Sequence, residues 1–256
     1  ELAYRGRELS VGFESASARY FRLRFTRVEP SESPIELAEL LLTPVFRLEA
    51  FGAKSGLGPP PKPRTNAVSV PAGSIIPLAS VVDLSTNLDA SGNLRWTVPP
   101  GMWTVLRVGH VPTGRENAPS QPEGRGLECD KLNAVAVEAH FTNFIGKLTG
   151  AAGKTRPSSL AFTHIDSWEV GYQNWTPGFR AAFRQRRGYD PLLYLPAVGG
   201  RVVESIEVTE RFLWDVRRTI ADLVTENYAA TMTRLAHGHG LKLSMEGYSS
   251  LGGGPF

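Results

Sequence analysis

FTHIDSWEVGYQNWTPGFRAAFRQRR, residues 162–187, reads as three things in succession. A short apolar run from Leu160 to Ile165 has the length of a buried strand. Asp166, Trp168 and Glu169 then fall where that strand meets its loop. Thr176 as N-cap, Pro177 at the first helical position and Gly188 just past the last turn bound a short helix over 179–187. About 80 residues later, LKLSMEGY (residues 241–248) closes a second strand-like run on Glu246. Strand, helix and strand in this order are the mark of a parallel sheet or barrel.

Working outward, Thr209 predicts the cap of a long helix over 210–237. Its apolar positions Phe212, Leu213, Val216, Ile220, Leu223, Val224, Tyr228 and Leu235 recur at spacings of three and four. Gly238 and Gly240 stop it. Upstream, Asp130 precedes a second amphipathic run, 134–148, with Val135, Val137, Phe141, Phe144, Ile145 and Leu148 on one side and Gly150 and Gly153 at its end.

The front of the chain carries the other period. Residues 18–25 (ARYFRLRF) alternate apolar side chains with Arg, as a half-buried strand does. Further strands are expected over 35–42, 45–51, 81–84, 94–98 and 103–108. Pro99-Pro100-Gly101 predicts a tight turn that makes 94–108 a hairpin. A linker rich in Gly and Pro, 56–64, marks a boundary, and 112–126 reads as loop. The expected division is a β module over 1–58, a β-rich segment over 59–125 leading into a barrel, and part of a (β/α)8 barrel over 126–256. A whole barrel takes ~250 residues, so only a few units are expected here. Parallel βα structure is expected only after Asp130, and both ends of the chain read as cuts within a longer protein.

Composition narrows the function. The chain has 256 residues, 41% of them hydrophobic, with a net charge of +3 and a pI near 9.1. Its Arg residues are scattered among Glu and Asp rather than forming a stripe, which argues against nucleic acid as partner. No apolar stretch approaches the ~20 residues of a membrane helix. Cys129 is the single cysteine, which excludes an internal disulfide and a cysteine metal cluster.

The residues with chemistry to offer sit at the two strand ends. Catalytic groups of α/β barrels come from the C-terminal ends of strands and the loops after them. Neighbouring strands lie ~4.8 Å apart, so Asp166, Glu169 and Glu246 could flank one glycosidic bond. Cleaving such a bond takes two carboxyl groups, one to protonate the leaving oxygen and one to activate water or attack carbon. Trp168, Trp175 and Tyr248 could stack on sugar faces, and His164 could line the same site. Each also fits an ordinary role: the acids could pair with Arg or cap helices, and the aromatic residues and His164 could fill core. His237 and His239 resemble a metal pair but lie at a helix C-terminus, where cations are favoured anyway. Asn174-Trp175-Thr176 matches a glycosylation acceptor.

In combination, DSWEVGYQNWTPGF (166–179), RRGYDPLLYLP (186–196), ERFLWDVRRTIADLVTENY (210–228) and LKLSMEGY (241–248) resemble glycoside hydrolase family 106, the bacterial α-L-rhamnosidases of plant-polysaccharide degradation. LRWTVPPGMWTVLRVGH (94–110) and GLECDKLNAVAVEAHF (126–141) are similar to the family's segments leading into this part of the barrel. Residues 15–42 resemble more loosely the last strands of a galactose-binding-like, jelly-roll-like β-sandwich. The resemblance implies a mixed fold: that β-sandwich module, then part of the (β/α)8 (TIM) barrel. It implies a calcium-dependent, inverting enzyme, periplasmic or secreted, acting on terminal α-L-rhamnosides of oligo- or polysaccharides. Glu169 matches the general acid and Glu246 a second acid near sugar and metal. Asp166, Trp168, Trp175, His164 and Tyr248 are the expected sugar contacts. The catalytic base is expected beyond Phe256, the remainder of the parent chain completing the barrel, so the segment alone is expected to be inactive. The rival expectations are a non-catalytic carbohydrate-binding protein and a scaffold segment.

Overall fold

The computed structural model describes residues 13, 16–24, 40–58, 69–117, 120–151, 160–166, 168 and 171–246. One long helix organises them. It runs as Ile206–Leu223, widens to a π-type stretch over Val224–Ala230, and ends as Thr231–Gly238. Its first half buries Phe212, Leu213, Val216, Ile220 and Leu223 against Phe179 and Phe183, with Leu48, Leu132 and Ala197 completing the cluster. Its second half buries Met232 and Ala236 against Val137, Phe141, Ile165 and Leu241. The three-and-four spacing of the sequence is therefore one stripe serving two cores.

The helix starts a turn earlier than Thr209 suggested. Ser205 is the cap, its hydroxyl accepting from the Val208 N–H at 3.1 Å. Thr209 is fully buried, and its hydroxyl bonds the Val203 carbonyl at 3.0 Å and the Ser205 carbonyl at 2.7 Å. Either residue type can cap; here the buried one turns back on the preceding turn instead.

The middle helix, Phe179–Arg187, presents Phe179 and Phe183 inward and ends at Gly188 in the left-handed region, φ 81°. Thr176 is not its cap. The position falls to Gly178, and the Thr176 hydroxyl donates to Asp130 Oδ2 at 2.7 Å. Arg186 and Arg187, in the last turn, reach Glu226 and Asp222 of the long helix, the end of a helix that favours cations.

The first helix spans Ala134–Phe141, a wider turn Thr142–Gly146, and Lys147–Ala151. Asn133 caps it, accepting from the Val135 N–H at 3.0 Å. Of the expected apolar face, Val137 and Phe141 are buried and Ile145 packs beside them, while Val135, Phe144 and Leu148 face outward.

Strands β1 (Ile75–Ile76), β2 (Phe162–Ile165), β3 (Val202–Val203) and β4 (Lys242–Met245) form two small parallel sheets. In one, Phe162, Thr163, His164 and Ile165 stand opposite Lys242, Leu243, Ser244 and Met245. In the other, Ile75 and Ile76 stand opposite Val202 and Val203. The fold is mixed α/β with parallel pairing, and β1 extends that pairing ahead of residue 130, where it was not expected.

The front of the chain departs furthest from its period. Residues 18–24, 45–48, 81–84, 94–98 and 103–108 join no ladder, nor do 40–42 of the expected strand 35–42, whose other residues lie outside the described residues. Antiparallel pairing there is limited, among the described residues, to the isolated bridges Leu88–Leu94 and Glu116–Leu127. The Pro99-Pro100-Gly101 reversal does bring Trp96 against Trp103, ring centroids 5.1 Å apart, but without a hairpin ladder. Proline removes ladder donors, and among the described residues no strand covers the exposed Val98, Val105 and Val108.

The start of the expected linker is also not free. Ala53–Leu57 is a helical turn held to the long helix: Lys54 pairs with Glu210, and Arg217 donates to the Lys54 carbonyl. Gly56, at φ 84°, lies so close that an added Cβ would sit 2.7 Å from Ile220 Cδ1. Gly200, at φ 78°, accepts from the Leu48 N–H at 2.7 Å, and a Cβ there would meet the Phe51 ring at 2.6 Å. Residues 59–64 of that linker lie outside the described residues.

Candidate active site

The two acidic strand ends are neighbours. The β2–β4 ladder continues one step beyond Met245, where the Glu246 N–H donates to the Ile165 carbonyl at 3.0 Å. Carrying the register forward sets Asp166 beside Glu246, with backbones ~4.8 Å apart. Strand alternation decides which face they share. Thr163 and Ile165 point into the helical core and are buried, whereas Phe162, His164 and Asp166 are exposed on the other side. Opposite them stand Lys242, Ser244 and Glu246.

His164 belongs to this face rather than to the core. Its Nδ1 lies 3.1 Å from Ser244 Oγ across the ladder, and Lys242 Nζ lies 5.8 Å from the Phe162 ring centroid. The face thus combines two carboxylates, an imidazole, a hydroxyl and an ammonium on an apolar ring, a set able to grip hydroxyls and exchange protons.

Trp168 stands beside the strand end, its indole N–H donating to the Gly171 carbonyl at 2.7 Å. Its ring meets Tyr228 edge-on at 6.0 Å. Trp175 goes elsewhere: it packs against Phe179 at 4.7 Å in the cluster around the first half of the long helix. Glu169 and Tyr248 lie outside the described residues.

Residues 128–132 adjoin Trp168, and Glu128 and Lys131 were not among the expected site residues. Lys131 is 6% exposed; its ammonium pairs with Glu128 at 2.5 Å and lies 5.2 Å and 5.7 Å from the Trp168 and Tyr228 rings. The signal available was a lysine just ahead of an amphipathic helix, and only the fold shows that it is buried. Cys129, also here, has its thiol pushed up in pKa chiefly by burial, which suits a packing role rather than a nucleophile's.

The other motifs resolve locally. The Asn174 amide donates to the Ser55 carbonyl at 3.0 Å and Thr176 is engaged by Asp130, so the glycosylation triplet is occupied by packing. His239 contacts Thr149 Oγ1 at 2.8 Å and the Phe141 ring, at the opposite end of β4 from Glu246. Among the described residues, no three His, Cys, Asp or Glu side chains group to hold a metal ion. Asp166 and Glu246 alone fall short of the about six to eight oxygens that calcium takes. No described helix is long and apolar enough to cross a membrane.

Residues 6–252 match the profile of glycoside hydrolase family 106, described as alpha-L-rhamnosidase. The chain belongs to this family. Among solved structures it is similar to a rhamnosidase from Novosphingobium sp. PP1Y, with 30% identity and a TM-score of 0.60, over 78% of this chain and 20% of that one. It is also 47% identical, over 158 residues, to a Formosa agariphila protein named "Putative beta-glucuronidase"; the match covers 62% of this chain and 14% of that protein. The chain thus spans a small part of the length of both.

Proposed function

We propose that this family 106 chain forms part of the catalytic region of an enzyme that hydrolyses terminal α-L-rhamnosides with inversion, outside the cytoplasm. The observation that carries the reading is the in-register adjacency of β2 and β4, which groups Asp166 and Glu246 at the C-terminal ends of parallel strands. On this reading the two strands are units of a (β/α)8 barrel, and the face bearing His164, Asp166, Ser244 and Glu246 looks into its mouth. Glu169, the residue after Trp168, acts as general acid.

The spacing of the pair bears on mechanism. Inverting enzymes hold acid and base ~6.5–9.5 Å apart to admit a water. Carboxylates on adjacent in-register strand ends start closer than that. Asp166 and Glu246 therefore suit binding and orientation of the sugar, and the base comes from a strand that does not neighbour both. Calcium near Glu246 belongs to the same proposal, with further oxygens from sugar and from residues beyond those described.

The name carried by the Formosa relative supports a second reading, a β-glucuronidase, for which Lys242 on the open face offers a partner for the uronate. Side-by-side assays of the full-length protein on aryl α-L-rhamnoside and aryl β-D-glucuronide separate the two. Turnover of the rhamnoside with inversion, lost on chelation and restored by calcium, is the expected result. Turnover of the glucuronide alone contradicts it, and binding without turnover on either points to a carbohydrate-binding protein.

A further inference from the structure

The stretch ECDKLN, residues 128–133, contacts elements distant in sequence through three successive residues. Asp130 takes the Thr176 hydroxyl at 2.7 Å. The Lys131 backbone N–H donates to Gln173 Oε1 at 3.3 Å, and its ammonium lies over Trp168 and Tyr228. The Leu132 carbonyl accepts from Asn227 Nδ2 at 2.7 Å. Two of these elements matter most: the loop that leaves β2, and the widened stretch Val224–Ala230 of the long helix. Wider π-type turns redirect side chains and recur at functional sites; this one turns Asn227 and Tyr228 onto the 128–133 segment.

A buried ammonium is costly unless its charge is answered. Lys131 is answered three ways, by Glu128 and by two ring faces. Its position is also informative. It stands two residues before the N-cap of the first helix and touches a tryptophan three residues beyond the end of β2, the strand end that carries Asp166. The Trp168 indole in turn closes on Gly171, a glycine at φ 74°. The chain after β2 is thereby held at Trp168, at Gln173 and at Thr176.

We propose that Lys131 is a positioning residue for the candidate glycosidase centre: paired with Glu128, it clamps Trp168 against Tyr228 and, with its backbone on Gln173, fixes both residues relative to the β2 strand end that carries Asp166. The proposal rests on the glycosidase reading, but the clamp itself can be read without turnover.

The experiment uses the full-length protein with Lys131→Met, which keeps length and removes charge, and Lys131→Arg, which keeps a cation able to lie over aromatic rings. Each is measured for kcat and KM on aryl α-L-rhamnoside. Trp168 emission is obtained by subtracting the spectrum of the same protein carrying Trp168→Phe. Lys131→Met should shift Trp168 emission and lower kcat by about 10- to 100-fold with KM little changed, the signature of a misplaced group rather than a lost binding contact. Lys131→Arg should restore most of kcat. A folded Lys131→Met with wild-type kcat and unshifted emission overturns the proposal, as does a loss confined to KM. If Lys131→Met does not fold, Lys131→Gln, still able to bond Glu128, takes its place with the same expectations. If the wild type turns over no glycoside, the emission alone decides: a shift keeps the clamp and discards only the glycosidase reading, and no shift overturns the clamp.

Discussion

Residues 69–117 and the described residues of 160–246 both carry periodic apolar side chains, the first at strand spacing and the second largely at helical spacing, and meet opposite fates. In the first, Val82, Leu94, Val98, Trp103, Val105, Leu106 and Val108 all remain exposed, and short turns replace the expected strands. In the second, Phe179, Phe183, Val202, Val203, Phe212 and Leu213 are almost wholly buried. The difference lies in what the neighbours supply. A helix satisfies its own backbone and needs only one apolar stripe covered, which the long helix does for both cores. A strand leaves half its backbone groups to a neighbour, and period-2 alternation yields a ladder only where that neighbour is present. β2 and β4, 80 residues apart in sequence, supply it to each other; 94–98 and 103–108 do not.

The comparison can be broken by substitution. Phe183→Ala removes a fully buried ring packed at tilted and edge-on angles among Phe179, Tyr189 and Phe212, and should cost ~3–5 kcal/mol, read as a lower midpoint in urea. A cost below ~1 kcal/mol would show that this cluster is no tighter than the front of the chain.

Asp190→Asn sharpens the contrast at smaller scale. Arg180 bonds the carboxylate at 2.7 Å and holds its pKa below the usual range, and Asp190 also caps the turn at Pro191–Gly199. Because its folded pKa is depressed, the stabilisation is complete above its unfolded value near ~3.9 and is lost as pH falls through the folded value. The variant should be less stable by ~0.5–1 kcal/mol near neutrality, since the pair is partly exposed to solvent. The difference should fade in acid, and a difference that grew on acidification would refute the sign.

Trp103→Ala should have the smallest effect, below ~0.5 kcal/mol. Its ring is exposed and, among the described residues, meets only Trp96 as an aromatic neighbour, and exposed positions of this kind are near neutral. A loss above ~2 kcal/mol would mean that the front segment has a core of its own.

What the sequence made legible follows the same division. The three helices, the parallel pairing of β2 with β4 and the placing of Asp166 and Glu246 at strand ends all rest on local periods and on chain order. Caps were read four residues astray at Thr209 and two at Thr176, because several residues nearby can cap and tertiary bonds select among them. Trp175 was read toward the sugar site and sits in the core with Phe179; an aromatic side chain after a strand does not announce which way it turns. Lys131 was overlooked because its burial depends on Glu128, Trp168 and Tyr228, two of them distant in sequence. β1 was missed because two residues carry no period.

The central claim is that the loop after β2 delivers a general acid to a glycosidic bond. Glu169→Gln in the full-length enzyme tests it most directly, since the amide keeps the shape and removes the transferable proton. Turnover of natural rhamnosides should fall by roughly 10²–10⁴-fold, with a far smaller loss on aryl rhamnosides whose leaving group needs little protonation. Equal losses on both kinds of substrate would assign Glu169 to binding or water activation, and unchanged turnover on both would contradict the account.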